Sequence, residues 1–429
     1  MKDIAAYAIE AMIKAGADKA SCTASSGRKD EFNVEAGKFS LLRTLFEDEL
    51  SLKAIKGGQK GTIVVNKLDK ESVDKAVEEC VALASSAAAD EAEDIAPLIE
   101  NQSFSRPIGG ADMGQLFARS KELLEQVQDQ YPQINLDMNT EFNSRKTVHT
   151  NSNGVEFCDE AEYYYVSTNF AAKEGEAASS FNYYGMILNS LAVPFLDLGM
   201  QRTLLSDSVK SLKTRMVDDK FVGKIIVAPS CEDMIWHTLL GCFLSNYALI
   251  SDTSRWKDAL GTIVADKKLT MRAAPLAAEM IAAERYTSDG FLSQNVDYIK
   301  DGVLTSFALD LYGANKTGKP RAANTASYNL EVAAGDTLLA DMIKGIDKGI
   351  LLNRFSGASP GPSGDVSGVA KNSFMIENGQ ITDAISETML SFNVADILMN
   401  IPAISKERCA NGMTLLPWCC FDGVTVSGK

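Results

Sequence analysis

Apolar residues in the first quarter of the chain recur at two spacings, and each spacing predicts a different element. Residues 3–15 repeat them every three or four positions, which predicts an amphipathic helix that ends at Gly16. The same spacing predicts a second helix over residues 70–86. Short apolar stretches bounded by turn residues predict strands near residues 21–25, 31–34, 40–47, 50–55 and 61–65. We therefore expect residues 1–110 to form a helix–sheet–helix region closed by an acidic, alanine-rich linker with some helical character.

The middle of the chain has the pattern of a sheet covered by helices on one face. A helix is predicted over residues 112–128, and alternating apolar residues from position 134 predict a strand. Residues 151–154 read Asn-Ser-Asn-Gly, which is a strong turn signal between two strands. A further helix is predicted near residues 206–217. We expect residues 111–220 to form a central antiparallel meander.

The last region, residues 221–429, combines one prominent helix with many short strands. Residues 224–228 include three consecutive β-branched residues and predict a buried strand. Ser230 or Asp233 can cap the helix that follows, and His237 lies in the middle of that helix. Frequent glycine turns beyond it predict a barrel-like or sandwich sheet around the helix. The fold class predicted for the whole chain is α+β.

Size and charge narrow the function classes. With 429 residues the chain can bury two or three cores, because a single core stops growing at about 250–300 residues. Its 42 basic and 57 acidic side chains give a formal net charge of −15. Binding to DNA phosphates requires a basic face, so we expect no direct contact with nucleic acid.

The distribution of apolar residues and cysteines predicts the cellular compartment. No apolar run approaches the ~20 residues of a membrane span. Asp3 and Glu10 interrupt the apolar positions of the first predicted helix, so we do not interpret it as a signal peptide. The eight cysteines are scattered without CxxC spacing, which indicates reduced thiols. We expect a cytoplasmic protein with no membrane association.

Two histidines, His149 and His237, are present in the sequence, and this count limits metal chemistry. A catalytic zinc ion needs about three protein ligands and an open position for water. Cys242 could join His237, but five residues of regular helix separate two side chains by roughly 140° around the axis. Thr238 supplies no carboxylate to deprotonate a bound water. We favour a half-buried, hydrogen-bonded His237 with Cys242 in the core, and we expect His149 on the surface.

The segment 237–242, HTLLGC, carries a resemblance to a known family. It resembles the helix of the TldD/PmbA family (historically "modulator of DNA gyrase"), whose TldD members have an HExxxH metallopeptidase motif there. His237 keeps the first position, whereas Thr238 and Cys242 occupy those of the glutamate and the second histidine. The resemblance therefore favours the PmbA/TldE-like branch, which lacks the motif. It also implies that the helix deviates locally from α geometry, which Gly241 would permit.

The resemblance extends over much of the chain, most clearly in residues 288–318, 356–382 and 422–429. The loop 356–368, SGASPGPSGDVSG, is the most glycine-rich part of the sequence, and its backbone N–H groups could bind an anion or follow an extended peptide. Tight turns between strands are an equally good interpretation. Because the loop lies in a section that resembles the family, we predict a peptide groove formed by Ser356, Gly357, Gly361, Ser363, Gly364, Asp365, Arg321 and Asn324.

The resemblance implies a function that the residues alone do not. PmbA/TldE-like chains pair with a TldD-like metallopeptidase that acts on peptides or small unfolded proteins. This chain would be a subunit without metal or catalytic residues, and zinc would be held by the partner. Two alternatives stay open: an active metallopeptidase homodimer with a divergent site at His237 and Cys242, or a non-enzymatic regulator that binds another protein. TldD members also take a cysteine ligand from the C-terminal region, and the sequence does not indicate whether Cys409, Cys419 or Cys420 corresponds to it.

Overall fold

The computed structural model describes residues 1–325 and 328–428. Its N-terminal half is built on an eight-stranded sheet. The strands of this half are β1 (Lys19–Glu35), β2 (Lys38–Lys56), β3 (Gln59–Val65), β4 (Gln102–Arg106), β5 (Ile134–Asn151), β6 (Glu156–Glu174), β7 (Ala177–Ala178) and β8 (Asn182–Leu188). Its helices are α1 (Lys2–Lys14), α2 (Lys70–Ser86), α3 (Met113–Gln130) and α4 (Gln201–Lys210), with a 3-10 turn at Phe195–Asp197.

The C-terminal half is built on a fourteen-stranded sheet. Its strands are β9 (Thr214–Arg215), β10 (Phe221–Val227), β11 (Met271–Ala273), β12 (Val296–Lys300), β13 (Val303–Leu304), β14 (Leu330–Val332), β15 (Lys348–Leu352), β16 (Arg354–Gly357), β17 (Asp365–Lys371), β18 (Ser373–Glu377), β19 (Gln380–Ile385), β20 (Thr388–Asn393), β21 (Ala403–Ala410) and β22 (Leu415–Ser427). Its helices are α5 (Asp233–Leu239), α6 (Asn246–Ile250), α7 (Leu311–Thr317), α8 (Leu339–Lys344) and α9 (Val394–Leu398), with a π-helical turn at Leu240–Leu244 between α5 and α6.

The N-terminal sheet contains strands that are longer than the apolar pattern predicts. Its order is β3-β2-β1-β5-β6-β4, and the β1–β2 pairing runs from Lys19 opposite Ile55 to Glu35 opposite Lys38, with one register shift at Asn33 and Val34. The strands predicted near residues 40–47 and 50–55 are parts of the single strand β2, whose outer part is exposed. Helices α1 and α2 pack together on one face through residues such as Met12 and Val77. The predicted helix–sheet–helix arrangement is present.

Two details of the predicted N-terminal and central regions differ in the structure. The acidic segment over residues 87–110 contains β4, which pairs in parallel with β6, and the described residues there form no helix. The helix expected near residues 206–217 is α4, which begins earlier because Leu204 and Leu205 form its buried face. Strands from both regions share one sheet, and the boundary at residue 110 stays a prediction.

Strand β22 is the centre of the C-terminal sheet. It pairs antiparallel with β10, β20 and β21 along different parts of its length, so the sheet branches there. The α5 helix and the π-turn pack into the same core through Ile235, Trp236 and Phe243, each fully buried. The α+β class and the strand-rich region around the His237 helix are confirmed, but the described strands do not close into a barrel. Within the described residues, no helix is both long and apolar enough to cross a membrane.

Candidate functional site: the helix that carries His237

The position of α5 is set by the buried strand before it and by one buried carboxylate. Ile226 and its neighbours in β10 are fully buried between β15 and β22. The cap expected at Ser230 or Asp233 is wrong, because α5 begins at Asp233, with Glu232 as its N-cap residue and no side-chain cap bond. Glu232 is fully buried, and its Oε2 accepts a hydrogen bond from Nε1 of Trp236 at 2.9 Å. This bond fixes the inner face of the helix.

The helix leaves α geometry at Leu240, as the family resemblance implies. The N–H of Ser245 donates to the carbonyl oxygen of Leu240, five residues earlier, at 2.8 Å. Such π-turns are rare in proteins, and many of those that occur lie at functional sites. The wider turn contains one more residue than an α-turn, so it lessens the angle between the side chains of His237 and Cys242. Both side chains line one groove.

The groove beside α5 is open and largely apolar, with a volume of about 450 Å³. We call it the helix groove. His237 is exposed in it, and its ring centre lies 6.5 Å from that of Tyr328. The half-buried Cys242 donates from Sγ to the carbonyl oxygen of Gly361 at 3.3 Å. Burial raises the pKa of the Cys242 thiol, so it stays neutral at pH 7. The expectations of a half-buried His237 and a core Cys242 are therefore corrected.

The donor atoms near His237 do not fit a catalytic zinc site. The Thr238 hydroxyl donates to the Met234 carbonyl oxygen at 2.6 Å and is committed to the helix backbone. In the part of the chain that the structure describes, no three side chains of histidine, cysteine, aspartate or glutamate lie close enough to hold a metal ion. Among the described side chains, His237 and Cys242 are therefore two candidate ligands, fewer than the three that a zinc peptidase needs.

The C-terminal cysteines lie away from the helix groove. Cys419 is fully buried on β22 and shares a hydrogen bond with Glu232 behind the helix. Cys409 lies 3.3 Å from the hydroxyl oxygen of Tyr184 in the N-terminal half, and Cys420 is buried. None of the three lines the groove formed by the described residues.

Part of the predicted peptide groove lies over α5. The loop 358–364 covers the helix, with Gly361 at the thiol of Cys242. Gly364 has a φ of +81°, and a Cβ atom there would lie 2.4 Å from the Phe243 ring. Ser363 Oγ donates to Oδ2 of Asp365 at 2.7 Å, which holds the base of the loop. A hydrogen bond from Asn393, followed by that from Ser363, lowers the pKa of Asp365.

The other predicted groove residues lie elsewhere. Ser356 and Gly357 are exposed on β16, which pairs with β17. Arg321 forms an ion pair with Asp289, with Nη2 2.7 Å from Oδ1. Asn324 is fully buried, and its carbonyl oxygen accepts a hydrogen bond from the Tyr298 hydroxyl at 2.8 Å. The structure therefore does not bring Arg321 and Asn324 to the helix groove.

Sequence reasoning missed several residues of the helix groove. These are Met234, Tyr247, Thr253, Pro360 and Pro362. Met234 lies three and four positions before His237 and Thr238, which is a helical spacing that could have placed it on their face. The two prolines flank Gly361 in the loop already singled out. No local signal indicates Tyr247 or Thr253, because the π-turn sets their direction.

His149 is buried, so the expectation of a surface residue is wrong. It is 4% exposed, and its Nδ1 lies 2.9 Å from Oγ1 of Thr23 on β1. The rings of Phe157 and Tyr286 pack beside it, at centre distances of 6.4 and 5.7 Å. Burial lowers the pKa of His149 to about 4. The C-terminal segment that contains Tyr286 covers this strand, and contacts so distant in sequence leave no local pattern.

Comparisons with known proteins agree with the fold and with the helix. Residues 222–428 match the model of the PmbA/TldA metallopeptidase C-terminal domain. The metalloprotease PmbA of Escherichia coli O157:H7 is 28% identical over 167 residues, which is 37% of this chain and 37% of that protein. A zinc metalloprotease TldD homolog of Saccharolobus solfataricus is 26% identical over 133 residues, 28% of this chain and 30% of that protein. The aligned segments thus span well under two thirds of these relatives.

Solved structures match over the whole chain. TldE from Thermococcus kodakarensis superposes with a TM-score of 0.84 at 18% identity, covering 100% of both chains. A proposed modulator of DNA gyrase from Bacteroides thetaiotaomicron superposes with a TM-score of 0.87 at 22% identity, covering 100% of this chain and 99% of that one. The fold and the C-terminal match define a chain of the metallopeptidase-like type. Its residues 222–428 belong to the family of PmbA/TldA metallopeptidase C-terminal domains.

We predict that Gly364→Ala loosens the loop over α5. The new methyl group would meet the Phe243 ring at a left-handed φ, so we expect a loss of about 1–3 kcal/mol in unfolding free energy. Modification of Cys242 by a thiol reagent, followed by mass spectrometry, should become several-fold faster. Gly361→Ala is the control, because its Cβ would lie 3.8 Å from the nearest atom. Equal behaviour of the two variants would contradict the predicted packing.

A second prediction concerns His149 and pH. Its folded-state pKa of about 4 lies below the ordinary 6.5, so the neutral ring contributes stability above pH 6.5 that is lost as the pH falls towards 4. Between pH 6.5 and 4, the unfolding free energy of the wild type, measured with urea, should therefore fall by about 3 kcal/mol more than that of His149→Gln. Parallel curves for wild type and His149→Gln would refute the burial argument.

Proposed function

We propose that this chain is a PmbA/TldE-like, metal-free subunit of a cytoplasmic TldD/TldE-type metallopeptidase complex that acts on peptides or small unfolded proteins. One observation carries the proposal: Thr238 and Cys242 occupy the positions where TldD members have their glutamate and second histidine. His237 and Cys242 face the helix groove without a third ligand among the described residues. A TldD-like partner would hold zinc and supply the activated water.

In this proposal, the residues of this chain bind substrate and leave its peptide bonds intact. The apolar walls of the helix groove, including Met234 and Tyr247, suit the apolar side chains of an unfolded peptide. The neutral thiol of Cys242 is engaged with the Gly361 carbonyl group, which leaves no prepared nucleophile. Gly361 and Gly364 hold the loop close to the helix.

One structural neighbour is named as a modulator of DNA gyrase, and the net charge of this chain limits how such an effect could arise. A formal charge of −15 opposes binding to DNA, so any effect on gyrase would act through protein contacts. A non-enzymatic regulator of this kind remains an alternative. An active homodimer is another, because His237 and Cys242 share one groove and a second copy could add ligands.

A cleavage assay separates the three functions. The purified chain and a TldD-like protein from the same genome are tested separately and mixed, with an unfolded peptide as substrate. We expect cleavage to require the TldD-like protein and to rise at least about tenfold in the mixture. His237→Ala should not abolish cleavage by the mixture, whereas replacing the motif glutamate of the partner by glutamine should abolish it.

Other outcomes identify the alternatives. Cleavage by this chain alone that His237→Ala abolishes would establish the homodimer and contradict the proposal. No stimulation of a TldD-like partner, together with stable binding of gyrase or another protein, would favour the regulator.

A further inference from the structure

A second cavity, of about 380 Å³, lies between the N-terminal sheet and the C-terminal segment 282–288. Arg106, Arg145 and Arg285 line it, and we call it the arginine cleft. Among the described residues it shares no lining residue with the helix groove. The arginine cleft is therefore a separate site from the helix groove.

The register of the N-terminal sheet places two of these arginines in one row. Arg145 of β5 lies opposite Ala161 of β6, and Arg106 of β4 lies opposite the same alanine from the other side. Paired residues project from the same face of a sheet, and neighbouring strands are about 4.8 Å apart. The two arginines therefore rise from positions about 10 Å apart, with only the methyl group of Ala161 between them. This gap forms part of the floor of the cleft.

One of the three guanidinium groups, that of Arg106, is paired with a carboxylate and hydrogen-bonded to the backbone. Arg106 donates from Nη1 to the carbonyl oxygens of Ile281 and Ala283 at 3.1 and 2.9 Å. Its Nη2 donates to Oδ2 of Asp159 at 2.6 Å. Arg106 thus ties the C-terminal segment to the sheet. Oδ1 of Asp159 and Nε of Arg106 are buried without a hydrogen-bond partner among the described residues.

The other two guanidinium groups are available to a ligand. Within the described chain, neither Arg145 nor Arg285 has a carboxylate oxygen within 4 Å, and Arg285 donates only to the Pro275 carbonyl oxygen, at 3.0 Å. Desolvation, and then the charge of Arg106, lowers the pKa of Arg285. Carboxylates of the cleft act on Arg285 and Arg145 electrostatically without pairing with them, so both guanidinium groups keep donors for a ligand.

The remaining lining residues narrow the class of anion. Tyr163 and Tyr286 add hydroxyl groups, and burial raises the pKa of both, so they remain hydrogen-bond donors. Three carboxylates, of Glu49, Asp159 and Glu284, equal the three arginines in formal charge. A singly charged ligand therefore fits better than a phosphate or a dicarboxylate. A carboxylate also matches the fork geometry of a guanidinium group.

We propose that the arginine cleft binds a monocarboxylate, either the C-terminal carboxylate of a peptide or a small organic acid, through Arg145 and Arg285. The cleft has room for the end of a short peptide, with its carboxylate over Ala161 and its preceding residue beside Tyr163 or Tyr286.

Calorimetric titration of the full chain tests the ligand class. The probes are tri-alanine with a free C-terminus, tri-alanine amide, propionate and inorganic phosphate. We expect tri-alanine to bind at least tenfold more tightly than its amide and more tightly than phosphate. Propionate as tight as tri-alanine would identify an organic acid as the ligand, and weaker propionate would identify a peptide end. Equal binding of acid and amide, tighter phosphate, or no carboxylate binding at millimolar concentration would overturn the proposal.

Substitutions test the residues. Arg145→Gln and Arg285→Gln should each weaken carboxylate binding at least tenfold. Lys146→Gln is the matched control, because Lys146 follows Arg145 on the opposite face of β5 and pairs with Glu160. Thermal unfolding verifies that each variant is folded, and the exposed Arg145 is the position most tolerant of change. Wild-type affinity in folded Arg145→Gln would also overturn the proposal.

Discussion

The hydrogen bond between the buried carboxylate of Glu232 and the indole N–H of Trp236 is the constraint on which the helix groove depends. Both residues are fully buried, so leaving either polar group without a partner would be strongly unfavourable. The bond holds Trp236 towards the core formed by β10 and β22. Because Trp236 faces inward, the neighbouring His237 faces outward, and the π-turn after it turns Cys242 to the same side.

This arrangement brings two candidate metal ligands to one groove without a third among the described residues. The π-turn, the apolar groove and the covering loop bring His237 and Cys242 together. The hydroxyl of Thr238, however, is hydrogen-bonded to its own helix. Cys419 lies behind the helix, and Cys409 contacts Tyr184 of the N-terminal half. The groove has room for a peptide, and the described residues that line it include no carboxylate.

The sequence predicted best those elements in which buried residues recur at one regular spacing from end to end. Helices α1 and α2 were predicted almost to the residue, because their apolar stripes face a core along their full length. The continuity of β2 was missed, because the polar residues between the strands predicted at 40–47 and 50–55 are joined by the ladder to β1 rather than by an apolar pattern. The π-turn was predicted from the resemblance to the HExxxH motif, whose spacing requires a deviation from α geometry, and not from the helix propensities of its residues. The burial of His149 and the arginine cleft both depend on segment 282–288 crossing the N-terminal sheet, a contact that no local pattern encodes.

The central claim, that the donor set at α5 is too small to hold zinc, is tested most directly by the metal content of the purified chain. Elemental analysis after dialysis against zinc, in wild type and in His237→Ala, measures it. The account predicts less than about 0.1 zinc ion per chain in both proteins. One zinc ion per wild-type chain that His237→Ala removes would contradict it.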